Sequence, residues 1–269
     1  MMSGPEFAKA IRAHALRMTH RAEASHIGAC LSMADLLAVL YGKVLRIDPV
    51  QSDWPDRDRF ILSKGHGAAA LYAALAWAGF FPVEWLDTYC QDGSKLAGHV
   101  AYGVPGVEVS TGSLGHGLPI GCGMALAGKL EGHQYRVFVL LSEGDCDEGA
   151  TWEAALFAPQ HHLDNLIAIV DYNKIQAFGT MKEVLDLEPL ADKWRACGWA
   201  ALEIDGHNYE QIEDALTGVP LEPGKPSVII AHTIKGKGIS FMENRLAWHY
   251  KSPNDEQLAL ALAELGDCE

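Results

Sequence analysis

The most informative segment of the sequence is Leu140-Leu141-Ser142-Glu143-Gly144-Asp145-Cys146-Asp147-Glu148-Gly149. The apolar run at residues 136–141 predicts a buried strand that stops at this acidic, glycine-containing turn. A helix-like segment follows at 151–161, and a second apolar run at 166–171 leads to Asn173, thirty residues after Glu143. This order predicts two neighbouring parallel strands joined by a helix. Glu143 and Asn173 are therefore expected at adjacent strand ends, where open α/β sheets bind ligands.

These two side chains suit a hard divalent cation. Mg²⁺ prefers oxygen ligands such as carboxylates, amide oxygens and backbone carbonyls, and it often carries the phosphates of a ligand. Glu143, the side chain of Asn173 and the carbonyl of Ile175 would supply such ligands. The turn would also let a diphosphate approach the backbone. The sequence thus predicts a metal–diphosphate site, against the plainer interpretation of solvated turn residues.

The rest of the chain continues the alternation of strands and helices. Further strands are predicted at 201–205 and 227–232, with helices between them. Residues 32–40 are predicted as one helix with Ser32 as its N-cap and Asp35 in a capping box. The glycine-rich segment 91–117 is predicted as a long loop. The fold class is therefore α/β, with a mostly parallel sheet flanked by helices on both faces.

Composition restricts the class of protein further. The 269 residues carry a net charge of −14, which argues against a nucleic-acid or anionic-membrane partner because both require a basic face. No run of about 18 apolar residues exists, so no transmembrane helix is predicted. The start has no apolar signal core, and we expect a cytoplasmic protein with reduced thiols. The cysteines are Cys30, Cys90, Cys122, Cys146, Cys197 and Cys268.

The segment from Leu141 to Gly179 resembles the thiamine-diphosphate motif of transketolases, which starts with Gly-Asp-Gly and ends in Asn. Here Ser142-Glu143-Gly144 stands at the Gly-Asp-Gly position, and the Asn173 end is intact. An alternative alignment through Gly144-Asp145-Cys146 would make Asp145 the metal ligand, 28 residues before Asn173. Spacing favours Glu143, and the choice between Glu143 and Asp145 stays open at this point.

Five further segments resemble transketolase motifs, and with the first they run from about residue 20 to 252. They are Glu23-Ala24-Ser25-His26-Ile27-Gly28, Asp58-Arg59-Phe60-Ile61-Leu62-Ser63-Lys64-Gly65-His66-Gly67, Leu96-Ala97-Gly98-His99, Val109-Ser110-Thr111-Gly112-Ser113-Leu114-Gly115-His116-Gly117, and Thr233-Ile234-Lys235-Gly236-Lys237-Gly238 with Trp248-His249. Several ordered motifs are far more specific than a lone glycine pattern. The resemblance implies that residues 1–269 are a single thiamine-diphosphate-binding domain, equivalent to the N-terminal domain of transketolase.

The resemblance also implies roles for individual residues. Four histidines would line the donor pocket and move protons: His26, His66, His99 and His249. Thiamine diphosphate would be bound by His66, Gly112, Ser113, Leu114, Gly144, Glu148, Asn173, Lys235 and His249. Glu143, Asn173 and Ile175 would bind Mg²⁺, or Ca²⁺ or Mn²⁺ in its place. Lys64 carries a similar but weaker indication than Lys235. The other histidines, including His207 and His232, are expected to be structural or surface residues, and His116 is undecided.

By the same resemblance, the chain is the N-terminal subunit of a two-subunit transketolase. Such an enzyme transfers a two-carbon ketol unit from a ketose or ketose phosphate to an aldose or another acceptor, and a carrier-protein-bound acceptor is an open option. The pyrimidine-binding and C-terminal domains are expected on a partner chain, in an assembly of two plus two subunits. The alternatives are a deoxyxylulose-phosphate-synthase-like or 2-oxo-acid-dehydrogenase-like subunit, or a catalytically lapsed domain that serves as a scaffold.

Overall fold

A computed structural model describes residues 2–267 of the chain. Its centre is a sheet of five parallel strands in the order β1-β2-β3-β5-β4. The strands are β1 (Arg59–Leu62), β2 (Val137–Ser142), β3 (Leu166–Tyr172), β4 (Ala200–Asp205) and β5 (Ser227–His232). Ser142 pairs with Asp171, so the segments that carry Glu143 and Asn173 leave the sheet side by side, as predicted.

Helices cover both faces of the sheet. They are α1 (Gly4–Arg21), α2 (Ile27–Ser32), α3 (Ala34–Val39), α4 (Ala68–Trp77), α5 (Gly117–Glu131), α6 (Gly149–Gln160), α7 (Met181–Val184), α8 (Leu190–Ala196), α9 (Tyr209–Thr217) and α10 (Asp255–Glu264). Alternate residues of β2 face opposite sides, because side chains in a strand point to alternate faces. Phe138 packs into the core beneath α1 to α4, α9 and α10, and Val139 packs into the core beneath α5, α6 and α8. Both faces of β2 are thus buried, which explains its continuous apolar sequence.

The helix predicted over residues 32–40 is wrong in its start. Ser32 is the last residue of α2, and Met33 separates α2 from α3. The Ser32 hydroxyl donates to the Ala29 carbonyl at 3.0 Å and to Asp171 Oδ2 at 2.5 Å, so it caps no helix. Asp35 binds the Arg12 guanidinium at 2.6 Å and forms no capping box. Tertiary partners therefore override the local capping pattern.

The glycine-rich segment 91–117 is a long loop, as predicted, until α5 begins at Gly117. It crosses the carboxyl end of β1, where Thr111 Oγ1 donates to the Leu62 carbonyl at 2.6 Å. A side chain at Gly65 would place its Cβ 2.3 Å from the Thr111 carbonyl oxygen, so only glycine allows this crossing. The loop thereby reaches over the end of the sheet where the neighbouring turns lie.

The structure bears on the expectations about a transmembrane helix and about the cysteines. In the part of the chain that is described, no helix is long and apolar enough to cross a membrane. Five cysteines are free thiols, namely Cys30, Cys90, Cys122, Cys146 and Cys197. Cys268 lies outside the described residues.

Candidate active site

A cleft of about 380 Å³ opens at the carboxyl end of the sheet. It is formed by the segments that follow β1, β2, β3 and β5 together with the loop 91–117 and residues near His26 and His249. Twelve predicted site residues line it: His26, His66, His99, Gly112, Leu114, Glu143, Gly144, Glu148, Asn173, Ile175, Lys235 and His249. The exposed Ser113 is the one predicted residue that is not part of this lining. Residues from distant parts of the sequence therefore meet in one place.

The four motif histidines form a single cluster in the cleft. The ring of His26 lies 5.0 Å from that of His66, 5.9 Å from that of His99 and 5.1 Å from that of His249, measured between centroids. His26 has a φ of 76°, in the left-handed region, and its N–H donates to the His249 carbonyl at 2.9 Å. This strained backbone turns the His26 side chain toward the other three rings.

Burial keeps three of these imidazoles neutral, namely those of His26, His66 and His249. Desolvation lowers the pKa of His26 to about 4, and the charges of His99 and Lys235 act in the same direction. Desolvation, with Lys235 next in size, lowers the pKa of His249 to about 3. The pKa of His66 is also held well below its usual value by burial and by Lys64. Near pH 7 the rings of His26, His66 and His249 are therefore neutral, each with one N–H donor and one acceptor nitrogen, which suits contacts with sugar hydroxyls. In His249 the acceptor is Nδ1, which faces the Lys235 ammonium at 2.9 Å.

We expect the free energy of unfolding to fall as pH decreases from about 6.5 toward 4. In this range the unfolded chain protonates histidines that stay neutral in the fold, with pKa values of about 4 for His26 and about 3 for His249. Acid therefore favours unfolding, and protonation of Glu143 in the fold, with its pKa raised to about 7, offsets only part of the effect of the three histidines. Urea unfolding at pH 5 and pH 7 checks this, and His249→Gln should show a smaller pH dependence than the wild type. The exposed His161 provides the control, since His161→Gln should keep the wild-type dependence.

Glu143 carries a carboxylate for which the surrounding protein supplies no partner. Its side chain lies in the cleft and is 1% exposed. Among residues 2–267, neither carboxylate oxygen has a hydrogen-bond partner. Burial and the neighbouring Asp171 raise the pKa of Glu143 to about 7. Buried polar groups in proteins are nearly always satisfied, so this orphaned carboxylate fits the binding of a cation.

Asp145, unlike Glu143, has hydrogen-bond partners for both of its carboxylate oxygens. Its Oδ1 accepts from Ser63 Oγ at 2.6 Å and from the Gly115 N–H at 2.9 Å. Its Oδ2 accepts from the N–H and the hydroxyl of Ser142, at 2.8 and 3.0 Å. The carboxylate is fully buried, satisfied on both oxygens and absent from the cleft lining. Asp145 therefore ties the ends of β1 and β2 to the loop that precedes α5.

Asn173, Ile175 and Lys235 lie next to Glu143 in the cleft. Asn173 Oδ1 accepts from the Ile175 N–H at 3.2 Å. The Lys235 ammonium donates to the Ile175 carbonyl at 2.7 Å and lies 2.9 Å from His249 Nδ1. Burial lowers the pKa of Lys235 to about 8, although the charge of Glu143 opposes this change. The Lys235 ammonium thus already binds the Ile175 carbonyl, which was assigned from the sequence as a metal ligand.

The buried ion pair between Lys64 and Asp171 beneath the cleft was not predicted from the sequence. Lys64 and Asp171 are both fully buried and bind each other directly. Asp171 also accepts hydrogen bonds from Ser32 and Thr233, and although burial alone would raise its pKa, Lys64 and these hydroxyls lower it. The signal in the sequence was a single charged residue within the apolar run 166–172. Gln176, Ala177 and Phe178 also line the cleft and were not singled out.

Residues 4–267 match the family described as "Transketolase, thiamine diphosphate binding domain". This chain belongs to that transketolase family. The match spans nearly the whole transketolase-family chain and includes every segment that forms the cleft. The predicted resemblance and fold class are therefore confirmed, and the cleft lies in a domain of the thiamine-diphosphate-binding type.

The transketolase-family chain has relatives of its own length. It is 45% identical over 259 residues to the 6-deoxy-6-sulfo-D-fructose transketolase subunit SqwG of Clostridium sp. (strain MSTE9), covering 96% of this chain and 94% of that protein. It is 46% identical over 262 residues to an apulose-4-phosphate transketolase subunit of Actinobacillus succinogenes, covering 97% and 95%. Both relatives are named as subunits.

Solved transketolase structures contain the same domain within a longer chain. The transketolase of Leishmania mexicana superimposes with a TM-score of 0.94 at 32% sequence identity. That match covers 100% of this transketolase-family chain but only 42% of the Leishmania chain. The transketolase of Campylobacter jejuni gives a TM-score of 0.93, with 44% of its chain covered. The chain thus spans less than half of these transketolases.

Proposed function

We propose that this chain is the cofactor-binding subunit of a two-subunit transketolase. The observation that carries the proposal is the cleft, in which four histidines converge beside an unpartnered carboxylate and a buried lysine. Its relatives of the same length are named as transketolase subunits. In this proposal residues 1–269 act as a single domain equivalent to the N-terminal domain of transketolase.

The donor set at the cleft fits a divalent cation bound to a diphosphate. We assign Glu143, the Asn173 amide oxygen and the Ile175 carbonyl as the protein ligands of Mg²⁺. Glu143 supports this assignment because both of its buried oxygens lack a partner within the described chain. Since Lys235 now holds the Ile175 carbonyl, metal binding requires its ammonium to leave that oxygen and turn to the diphosphate. Ca²⁺ or Mn²⁺ would use the same oxygens.

The remaining cleft residues would hold the organic part of the cofactor and the sugar. When bound, thiamine diphosphate supplies a carbon nucleophile that carries a two-carbon ketol unit. Gly112, Ser113 and Leu114 would offer backbone groups to its aminopyrimidine ring, and Gly144 would let the diphosphate approach the turn after β2. The rings of His26, His66, His99 and His249 would donate to and accept from the sugar hydroxyls. These rings would also receive and return the hydroxyl protons.

A partner chain would complete this site. The solved transketolases extend well beyond the matched part, so we propose that a C-terminal subunit supplies the pyrimidine-binding and C-terminal domains. Glu148 is exposed at the rim of the cleft, where such a subunit would contact it. We propose two chains of each kind in the assembly, in the cytoplasm, where the free thiols would stay reduced. Sugar or sugar-phosphate substrates fit the hydrogen-bonding wall formed by the histidines.

The direct test is to measure ketol transfer by this chain alone, by its C-terminal partner alone and by the two mixed. We expect turnover only in the mixture, with thiamine diphosphate and Mg²⁺ present, because each chain carries half of the site. A ketose phosphate as donor should be consumed in step with acceptor extension. Consumption of pyruvate instead would favour a synthase-like or dehydrogenase-like subunit. Failure of the mixture to bind the cofactor would favour a lapsed scaffold domain.

A further inference from the structure

The turn Asp205-Gly206-His207 at the end of β4 places a histidine behind the cleft. The Gly206 N–H donates to the His232 carbonyl at 2.9 Å, and the His207 N–H donates to Asp205 Oδ1 at 2.9 Å. A Cβ at Gly206 would lie 2.5 Å from the Thr233 methyl carbon, so the turn can approach the end of β5 only with glycine there. The side chain of His207 is 12% exposed and does not line the cleft.

The partners of His207 fix its tautomer. The Ile234 N–H donates to His207 Nε2 at 2.8 Å, so this nitrogen must be the acceptor. His207 Nδ1 lies 2.7 Å from Asp35 Oδ2 and must therefore carry the proton and donate to the carboxylate. Arg12 and Tyr209 also bind Asp35, which keeps this carboxylate ionised and fixed in position. The imidazole is thus neutral, with its acceptor aimed at a single backbone N–H.

That N–H belongs to the residue before Lys235. Thr233, on the other side of Ile234, is anchored by the hydrogen bond from its hydroxyl to Asp171. The segment is held again after the lysine, where the Gly236 N–H donates to the Gly28 carbonyl at 3.0 Å. Between these anchors, the Ile234–His207 bond holds the Thr233–Ile234 peptide, one residue before Lys235. The Lys237 N–H donates to the Ile234 carbonyl at 3.1 Å and the Asn244 N–H to the Lys235 carbonyl at 2.9 Å, so His207 is the side chain that fixes this backbone ahead of the lysine.

We propose that His207 is a positioning residue that holds Lys235 in the cofactor cleft through the Ile234 peptide. Asp35 orients the ring, Nε2 holds the peptide, and the peptide keeps Lys235 at the wall of the cleft, from which its ammonium would turn to the diphosphate. The inference deepens the proposed function and rests on the assignment of Lys235 to the diphosphate. It gives a role in the site to a histidine that the sequence interpretation treated as structural.

Two substitutions separate the functions of the two ring nitrogens. In His207→Gln the amide oxygen reaches the position of Nε2 and can accept from Ile234, whereas in His207→Asn the shorter amide reaches only Asp35. We expect hydrogen exchange of the Ile234 amide in the full chain to be about tenfold faster in His207→Asn and close to wild type in His207→Gln. His232→Asn is the matched control, because His232 pairs with Glu203 at the same sheet edge. It should leave this exchange unchanged.

The cofactor provides the second readout. In the complex with the C-terminal subunit, we expect thiamine diphosphate with Mg²⁺ to bind about tenfold more weakly to His207→Asn, with affinity restored in His207→Gln. Equal amide exchange in the two variants would overturn the Ile234 contact. Different exchange with equal cofactor affinity would overturn the link to Lys235. If the wild-type complex binds no cofactor, the proposed function fails, and amide exchange still decides whether His207 holds the peptide.

A measurement on the wild type needs no variant to fold. In protein labelled with ¹⁵N at histidine, the ring resonances of His207 should report the neutral tautomer that is protonated at Nδ1. This follows because the Ile234 N–H can bond only to an unprotonated Nε2. Resonances of the Nε2-protonated tautomer, or of the imidazolium at pH 7, would contradict the proposal.

Discussion

Glu143→Gln is expected to weaken Mg²⁺-dependent binding of thiamine diphosphate by roughly 100-fold or more. Substituting a residue that only hydrogen-bonds to a metal ligand typically costs 10–100-fold in metal affinity. Glu143 would bind the metal directly and is the one carboxylate among the proposed ligands, so its loss should cost at least as much. The fold should tolerate the change, with the free energy of unfolding within about 1 kcal/mol of wild type. No hydrogen bond is lost, since neither Glu143 oxygen has a partner in the described structure. Calorimetric titration of the two-subunit complex and thermal unfolding measure the two effects.

Asp145→Asn should behave in the opposite way and is the matched control. Its carboxylate accepts four hydrogen bonds from Ser63, Gly115 and Ser142, two of them from backbone N–H groups that cannot reverse. An amide in its place would leave one of those N–H groups unsatisfied, which costs about 2–4 kcal/mol of stability. Metal affinity at a temperature where the variant is folded should stay near wild type. Lost metal affinity in Asp145→Asn together with normal affinity in Glu143→Gln would move the ligand to Asp145.

The largest loss of stability is expected for Lys64→Met. The substitution keeps the apolar stem but leaves the buried carboxylate of Asp171 without its cation. Breaking a buried pair on one side costs about 3–5 kcal/mol. In a chain of this size the thermal midpoint should fall by roughly 6–20 °C. Differential scanning calorimetry at pH 7 measures this fall.

An exposed ion pair supplies the comparison for Lys64. Lys43 and Glu213 are 2.5 Å apart, with side chains 54% and 37% exposed. Lys43→Met should change the unfolding free energy by less than about 1 kcal/mol, because exposed pairs gain little in water. The double variant Lys64→Met with Asp171→Asn should regain part of the lost stability, since it removes the unpaired charge. Equal stability losses in Lys64→Met and Lys43→Met would contradict the role given to the buried pair.

The two central strands β2 and β3 were predictable because they are almost wholly apolar. In β2 and β3 every residue is buried, and the apolar run stops at Ser142, the last residue of β2, and at Asp171, one residue before the end of β3. The helix starts were less predictable. Ser32 has the sequence context of an N-cap, yet its hydroxyl binds Asp171, which lies 139 residues away. A local pattern cannot reveal a partner that only the folded sheet brings near.

Partners that lie far away in the sequence also limited what could be predicted about the cleft. Motif order indicated which residues meet in the cleft, and twelve of them line it. The choice between Glu143 and Asp145 depends on whether a carboxylate is already satisfied, and Asp145 is satisfied by Ser63 and Gly115, which lie 82 and 30 residues away in the sequence. His207 was treated as structural for a related reason. Its role depends on Asp35, 172 residues away, and on the backbone of Ile234.

Cofactor titration of the complete assembly tests the central claim most directly. Thiamine diphosphate should be titrated calorimetrically into the chain bound to its C-terminal subunit, once with Mg²⁺ and once with the metal removed by a chelator. We expect one cofactor per chain with Mg²⁺ and little binding without it, because the orphaned carboxylate of Glu143 requires a cation to hold the diphosphate. Absence of binding in the presence of Mg²⁺ would show that Glu143 and its neighbours do not form a metal–diphosphate site.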